Sequence, residues 1–281
     1  MFESYCPCLG TAGFHRMFYT DRGDPESDLV TVCVHGLTRN SRDFDVIAER
    51  LAESRRVVCP DVVGRGRSDW LPDASLYTYP QYMADMGSLM ARTFAEAVDW
   101  VGTSMGGLIG MMLASLPKSP IRRLVLNDVG PFVPAAALQR ISGYVGKDPR
   151  FKGLAELEAY LRDVHAPFGR LSDAQWRIMA THSFRKLDDG TLGLAYDPGI
   201  GDVFKTTPIE DVDLWAIYDR ITCPVLVLRG ASSDLLSVDT ARQMAERGPR
   251  ATVVEVPDCG HAPMLMSDDQ VAAVAGFLEA P

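Results

Sequence analysis

The sequence lacks any long uncharged apolar segment. No window approaches the ~18 consecutive apolar residues that a membrane-spanning helix requires. The N-terminus, MFESYCPCLG, carries an acidic residue early and no apolar stretch of the kind found in secretory signals. Basic residues are also scarce, since 28 Lys and Arg stand against 37 Asp and Glu, for a formal net charge of -9. Nucleic acids and anionic membranes repel an acidic surface. We therefore expect a cytoplasmic protein that binds neither nucleic acid nor membranes and acts on a small molecule.

Recognisable metal and cofactor motifs are missing as well. The six cysteines include one closely spaced pair, Cys6 and Cys8, but no second pair follows at the spacing of metal ligands. The glycines of residues 64–68 are not followed by the Gly-Lys-Ser/Thr of a phosphate-binding loop. We expect free thiols, no metal and no cofactor. The sequence gives no indication of the oligomeric state.

Strand-length apolar runs alternate with segments of helical periodicity over most of the chain. With 281 residues, 47% of them hydrophobic, the protein can form one large core. The run at residues 29–34 (LVTVCV) is continuous and rich in β-branched residues, which is typical of a strand buried on both faces. Similar runs begin at residues 56, 98, 121, 224 and 252. This pattern predicts an α/β fold with a mainly parallel sheet and helices on both faces.

The β-rich rhythm stops in the middle of the sequence. Residues 132–213 carry several short helical patterns and then give way to the strand-like run PVLVLR. We predict a sheet domain built from residues 1–131 and 214–281, with 132–213 inserted as a helical cap. Insertions at the carboxyl ends of strands commonly overhang an active site. Phe132, just beyond the sixth strand, is a candidate for the wall of the substrate pocket.

A candidate nucleophile lies in Gly102-Thr103-Ser104-Met105-Gly106. This Gly-x-Ser-x-Gly motif follows a predicted strand and opens a helix rich in small residues. Such a turn is tight and strained, so it projects the serine hydroxyl from the edge of the sheet. Glycines flank the serine because a side chain at either position would collide with neighbouring backbone.

A serine hydroxyl needs a base, and the base needs an orienting acid. His261 follows the last predicted strand and therefore lies at the same sheet edge as Ser104, which makes it the predicted general base. Asp234 follows the strand at residues 224–229 and would accept a hydrogen bond from the second ring nitrogen. Asp128, at the end of the preceding strand, is the alternative. The chain order Ser, Asp, His favours Asp234.

The tetrahedral oxyanion formed after serine attack requires preorganised donors. One is expected to be the backbone N–H of Met105, directly after the nucleophile. The other is expected from the loop His35-Gly36-Leu37-Thr38, in which Gly36 permits a close approach and Leu37 presents its N–H. His35 is predicted to be a structural hydrogen-bonding residue beneath this loop.

These features together resemble the α/β-hydrolase superfamily, in its serine-nucleophile, esterase-like branch. The landmarks are His35-Gly36, the stretch Asp61 to Ser68 (DVVGRGRS), the elbow at Ser104, the acid Asp234, and Gly260-His261. The resemblance implies an eight-stranded sheet, a cap after strand six and a two-step acyl-enzyme mechanism. A serine nucleophile departs from the haloalkane dehalogenases and epoxide hydrolases of this fold, which use an aspartate.

The sequence thus predicts a serine hydrolase for carboxylic esters with a small to medium acyl group. A C–C bond hydrolase of ring-cleavage products or a lactonase would use the same triad. The acidic substrates of the former would require basic residues such as Arg39 or Arg177. A non-catalytic small-molecule receptor with this fold is the alternative from another functional class.

Overall fold

The computed structural model of the protein describes residues 1–280. Its strands, in chain order, are β1 (Phe2–Gly10), β2 (Gly13–Arg22), β3 (Val30–Val34), β4 (Arg56–Pro60), β5 (Val98–Thr103), β6 (Ile121–Asn127), β7 (Phe132–Val133), β8 (Phe184–Lys186), β9 (Leu192–Leu194), β10 (Val212–Asp213), β11 (Val225–Gly230) and β12 (Thr252–Val256). Eight of them form one sheet in the order β1-β2-β4-β3-β5-β6-β11-β12.

The helices alternate with these strands. They are α1 (Asp45–Leu51), α2 (Tyr79–Thr93), α3 (Met105–Ala114), α4 (Ala135–Ser142), α5 (Leu154–Val164), α6 (Asp173–His182), α7 (Val203–Thr206), α8 (Trp215–Tyr218), α9 (Val238–Glu246) and α10 (Asp268–Glu279). Short 3-10 helices cover Ser41–Phe44, Ala74–Leu76, Ala166–Phe168 and Pro198–Asp202. Among residues 1–280, no helix is long and apolar enough to cross a membrane.

The sheet is parallel from β4 through β12, and β1 and β2 add an antiparallel edge. The predicted eight-stranded, mainly parallel sheet with helices on both faces is confirmed. Strand β1 was not predicted, because its residues FESYCPCLG include Pro7 and no β-branched side chain. Proline is tolerated there because β1 is an edge strand.

Alternate residues of the parallel strands supply two separate cores. On one face, Val101 and Val125 pack with Ile47 of α1 and Val274 of α10. On the other face, residues such as Trp100 pack with helices that include α2 and α3. Because both faces are covered, the strands read as continuous apolar runs rather than as alternating ones. All six cysteines are free thiols, as expected, and five of them are buried.

The segment between β6 and β11 has a different organisation. It carries helices α4 to α8, two short 3-10 helices and the antiparallel pair β8–β9. Strands β7 and β10 pair at its two ends, with Val133 opposite Val212. The division into core and cap at residues 132 and 213 remains a prediction, and the pairing of β7 with β10 is compatible with it.

Candidate active site

Ser104 occupies the sharp turn between β5 and α3. Its backbone has φ 51° and ψ -114°, a strained conformation for a residue with a side chain. An ideal Cβ on Gly106 would lie 2.0 Å from the carbonyl oxygen of Val34, and one on Gly102 would lie 2.4 Å from the backbone of Gly106. Both flanking glycines are therefore required by close backbone contacts, as the motif predicts.

His261 lies in the loop between β12 and α10 and reaches the serine directly. Its Nε2 is 2.9 Å from Ser104 Oγ, within hydrogen-bonding distance. Its Nδ1 is 2.8 Å from Oδ2 of Asp128, whose side chain is fully buried. The three side chains form one continuous hydrogen-bonded chain from carboxylate to hydroxyl.

Asp128 is held firmly at the carboxyl end of β6. Its Oδ1 accepts the backbone N–H of Gly230 at 2.7 Å, and its Oδ2 accepts the hydroxyl of Ser233 at 2.6 Å. Since both partners come from β11 and the turn after it, the neighbouring strand fixes the orientation of this carboxylate. The same oxygen that faces His261 is thereby kept in place.

The expectation that Asp234 would contact His261 is wrong. The chain turns tightly after β11, with Ser233 N–H donating to the carbonyl of Gly230 at 2.9 Å. The next side chain, Asp234, consequently points away from the histidine and pairs with Arg140 of α4, whose Nη2 donates at 2.9 Å. The chain order Ser, Asp, His holds for Asp128 as well as for Asp234, and it is the side chain of Asp128 that reaches His261.

The predicted oxyanion donors flank the serine. Met105 is the first residue of α3, so its N–H has no partner within the helix. Leu37 lies beside Gly36 in the wall of the cavity at Ser104, and a Cβ on Gly36 would come within 3.7 Å of Ser104 Cβ. That these two N–H groups bind an oxyanion remains a prediction.

His35 fixes the loop from below, in agreement with its predicted structural role. Its Nδ1 donates to the carbonyl of Gly36 at 2.7 Å, and its Nε2 accepts the N–H of Val62 at 2.9 Å. The side chain is completely buried, and this burial lowers its pKa to about 3. His35 is therefore neutral at neutral pH and has both ring nitrogens engaged.

A small cavity of about 50 Å³ opens onto Ser104 and His261. The inserted segment provides much of its wall through Arg140, Ile141, Tyr144, Val164, His165 and Phe168. The loop after β3 adds Gly36, Leu37, Thr38 and Arg39, and Asp43, Thr103, Ala262 and Met264 complete the lining. Periodicity assigns helices to this region but cannot show which of their side chains face the serine.

Three residues that the sequence analysis named as candidate substrate contacts differ in their distance from the cavity. Phe132 pairs with Asp213 in the β7–β10 ribbon and is not among the residues that line the cavity, so the structure does not support it as a wall residue. Arg177 is exposed on α6 and pairs with Glu158. Arg39, by contrast, is only 5% exposed and lines the cavity.

Larger clefts elsewhere contain no comparable catalytic arrangement. A cleft of about 310 Å³ lies beside the β1–β2 turn, and one of about 790 Å³ lies beside Arg56 and Phe94. Within residues 1–280, neither is lined by a serine or cysteine hydrogen-bonded to a histidine. The smaller cavity at Ser104 is therefore the candidate active site, because it contains a serine hydrogen-bonded to a histidine.

Cys8, His15 and Asp85 form a buried cluster in which single ligand atoms lie within 4.8 Å of one another. Asp85 accepts a hydrogen bond from His15 at 2.9 Å and one from Gln81 at 2.7 Å. The bond from His15 attaches the β1–β2 hairpin to helix α2, whereas the bond from Gln81 lies within that helix. Cys8 donates from Sγ to the carbonyl of Cys6 at 3.6 Å.

Comparison with known proteins agrees with this architecture. The chain is 49% identical to a 3-hydroxybutyrate-oligomer hydrolase of Cupriavidus necator, over 97% of this chain and 96% of that protein. A putative hydrolase from Rickettsia typhi superposes with a TM-score of 0.93 at 31% identity, with both chains fully covered. An alpha/beta hydrolase from Novosphingobium aromaticivorans gives a TM-score of 0.88 at 36% identity, over 99% of this chain and 98% of that one. The model of the Alpha/beta hydrolase family matches residues 31–274, and the chain belongs to that family.

Proposed function

We propose that this protein is a serine hydrolase that cleaves carboxylic esters in short oligomers of a small hydroxy acid such as 3-hydroxybutyrate. The observation that carries the proposal is the hydrogen-bonded chain from Asp128 through His261 to Ser104. A hydroxyl, a histidine and a buried carboxylate in this order are the components of nucleophilic acyl transfer.

The proposed reaction has two steps. His261 Nε2 takes the proton of Ser104 as Oγ attacks the ester carbonyl, and the N–H groups of Leu37 and Met105 bind the resulting oxyanion. The protonated histidine then donates to the leaving alcohol, which departs and leaves an acyl-enzyme. Water, deprotonated by His261, attacks the acyl group and releases the acid and free Ser104. Asp128 holds the ring in the required tautomer and stabilises the imidazolium.

The choice of substrate is supported by relatedness and by the dimensions of the site. The relative from Cupriavidus necator is named a 3-hydroxybutyrate-oligomer hydrolase and matches nearly the whole chain. Binding pockets for drug-sized ligands have volumes of roughly 300–1,000 Å³. A cavity of about 50 Å³ favours a short acyl unit at Ser104.

The test compares wild type with Ser104→Ala on two sets of substrates. The first is a series of p-nitrophenyl esters from acetate to dodecanoate, and the second is the linear dimer and trimer of 3-hydroxybutyrate. We expect multiple turnover of the shortest esters and of both oligomers by wild type, and no turnover by Ser104→Ala.

The other outcomes point to the alternative functions. Turnover of p-nitrophenyl esters without turnover of the oligomers would retain the serine esterase and reject the proposed substrate. A single burst followed by no further product would indicate a receptor with slow chemistry. No reaction with any ester would favour a C–C bond hydrolase or a lactonase.

A further inference from the structure

The cavity at Ser104 is lined by two arginines and a histidine that the proposed reaction does not use. Arg39 comes from the loop after β3, Arg140 from helix α4, and His165 from the residue directly after α5. They belong to three separate elements but line the same small cavity. Two arginines in this wall are unexpected in a protein with a net charge of -9.

Arg39 is a buried and rigid member of this group. Its Nε and Nη2 donate to the two carboxylate oxygens of Asp43 at 2.9 and 2.6 Å, and its Nη1 donates to Ser183 Oγ at 3.0 Å. A guanidinium has five N–H groups. Three of these groups are used in the bonds above, so two have no partner among residues 1–280, and the bonds fix the orientation of this cavity-lining side chain.

Arg140 differs from Arg39 in that its ion-pair partner can be replaced by a ligand. It makes a two-point ion pair with Asp234, but the Arg140 side chain is 34% exposed and the Asp234 side chain 45% exposed. Ion pairs with this degree of solvent access contribute little to stability. A ligand carboxylate in the cavity can therefore replace or share the contact with Asp234 at small cost.

His165 adds a neutral polar group. The ring stacks on Phe168 with centroids 4.5 Å apart and planes 10° apart, which fixes its position. Within residues 1–280, no hydrogen bond to its ring nitrogens is formed. Burial, together with the nearby charges of Arg39 and Arg140, lowers its pKa well below that of a free histidine. The neutral ring can still donate one hydrogen bond to an anion.

We propose that Arg39, Arg140 and His165 form a subsite for the free carboxylate at the acidic end of a hydroxy-acid oligoester, an inference that rests on the proposed ester hydrolysis. A linear oligomer of this kind has one carboxylate terminus and one hydroxyl terminus. Guanidinium groups bind carboxylates by charge-assisted, often two-point hydrogen bonds. The apolar neighbours Ile141, Val164 and Met264 suit the methyl and methylene groups of each unit.

The subsite determines which ester bond is cut. With its carboxylate held there, the terminal hydroxy acid becomes the leaving group of the adjacent ester. The bond between the ester carbonyl carbon and the oxygen of that unit breaks as the bond from Ser104 Oγ to the carbonyl carbon forms. The departing oxygen receives its proton from His261, and one free hydroxy acid is released per cycle from the carboxylate end.

The test compares the 3-hydroxybutyrate dimer with its primary amide, which has nearly the same shape but no terminal charge. We measure kcat/KM on both for wild type, Arg140→Gln, Arg140→Lys and Asp234→Asn. Charge-assisted hydrogen bonds of this type change affinity by on the order of tenfold to a hundredfold. Wild type should therefore prefer the acid by about that factor.

Asp234→Asn is the matched control, because it breaks the same ion pair but keeps the arginine. Arg140→Gln should lose at least about tenfold on the acid and less than about threefold on the amide, since only the acid requires the guanidinium. Arg140→Lys should recover part of this loss, and Asp234→Asn should keep the preference of wild type. Melting temperatures of all four proteins verify that each is folded.

Several outcomes would overturn the subsite while leaving ester hydrolysis intact. One is equal hydrolysis of dimer and amide by wild type, and another is an equal loss on both substrates in Arg140→Gln. The same losses in Asp234→Asn would also overturn it, because they would attribute the effect to the contact between α4 and the turn after β11. If wild type cleaves p-nitrophenyl butyrate but neither dimer, the proposed substrate is wrong and the subsite fails with it.

Discussion

Oδ2 of Asp128 lies 2.8 Å from Nδ1 of His261, although the two residues are separated by 133 positions in the chain. The carboxylate is fully buried and also bonded to Gly230 and Ser233. Asp234, only a few residues beyond Gly230, is instead bonded to Arg140 near the surface. This difference predicts opposite effects on activity for two conservative substitutions, Asp128→Asn and Asp234→Asn.

Asp128→Asn should reduce kcat on p-nitrophenyl butyrate by about 10³–10⁴-fold, because an amide N–H facing Nδ1 favours the wrong tautomer of the histidine. Asp234→Asn should leave kcat within about threefold of wild type, as expected for a surface ion pair. Steady-state kinetics on both variants, with circular dichroism to verify folding, provides the measurement. If Asp234→Asn is the crippling change instead, the hydrogen bond from His261 to Asp128 is not the one used in catalysis.

The sequence was sufficient to predict that Ser104 and His261 lie close together, because each follows a recognisable strand end. A parallel sheet brings all carboxyl ends of its strands to one edge, so two such residues meet even when they are distant in sequence. The carboxylate partner of His261 could not be chosen this way, since Asp128 and Asp234 both follow strands that end at that edge. The structure separates them by their partners, since Asp128 contacts His261 and Asp234 pairs with Arg140.

The residues that line the cavity at Ser104 were the part of the candidate site least predictable from the sequence. Arg39 follows a predicted strand, and its contact with an acidic substrate group remains a prediction. Its burial depends on Asp43 and on Ser183, which is 144 residues away. Arg140 and His165 belong to short helical elements of the inserted segment. The periodicity of a short helix shows which residues share a face but not which neighbour that face meets.

Substitution of Gly106 tests the steric requirement of the tight turn at Ser104, between β5 and α3. In Gly106→Ala the new methyl group would meet the carbonyl of Val34 at 2.0 Å, and backbone cannot move aside as a flexible side chain can. We expect a loss of about 1–3 kcal/mol in the free energy of unfolding, in line with overpacked cores. Activity should fall further, since the displaced end of β3 carries the loop with Leu37.

Gly87→Ala is the matched control for this substitution. Gly87 lies inside helix α2, and its Cβ would meet no heavy atom within 4 Å. Alanine is favoured over glycine in a helix by roughly 0.5–1 kcal/mol, so this variant should be more stable than wild type. Urea unfolding of both variants measures the difference, and equal effects of the two would contradict the steric account of the elbow.

An ion triad with a buried Asp99 and Arg55 and a 38% exposed Arg122 lies at the other end of the parallel strands. Asp99 of β5 is fully buried and accepts from Arg55 at 2.7 Å and from Arg122 at 2.6 Å. Arg55 is itself only 3% exposed and also donates to the carbonyl of Leu278 in α10. Removing one partner of a buried ion pair leaves the other charge uncompensated, at a cost of about 3–5 kcal/mol.

Asp99→Asn should therefore lower the free energy of unfolding by an amount near that range. The comparison is Asp219→Asn, which breaks a more exposed pair with Arg247 and should cost less than about 1 kcal/mol. Both are measured by urea unfolding at neutral pH. A loss below about 1 kcal/mol in Asp99→Asn would show that the triad does not constrain this part of the sheet.

His35 makes stability depend on pH in a defined direction. Burial lowers its pKa from 6.5 to about 3, so between these values the unfolded chain binds a proton there that the folded chain does not. Stability falls with decreasing pH wherever the unfolded state binds more protons. The contribution of His35 is therefore constant above about pH 6.5, decreases by about 1.4 kcal/mol per pH unit below it, and levels off near pH 3.

His35→Gln isolates this contribution, because glutamine does not titrate and all other ionisable groups remain. We expect the variant to be less stable at pH 7, since it disturbs the bonds to Gly36 and Val62. Its free energy of unfolding should nevertheless decline less steeply than that of wild type between pH 6 and pH 4. Urea unfolding at half-unit intervals of pH measures both slopes. Parallel curves would mean that His35 takes up its proton in the folded protein as readily as in the unfolded chain, contrary to its burial and its two hydrogen bonds.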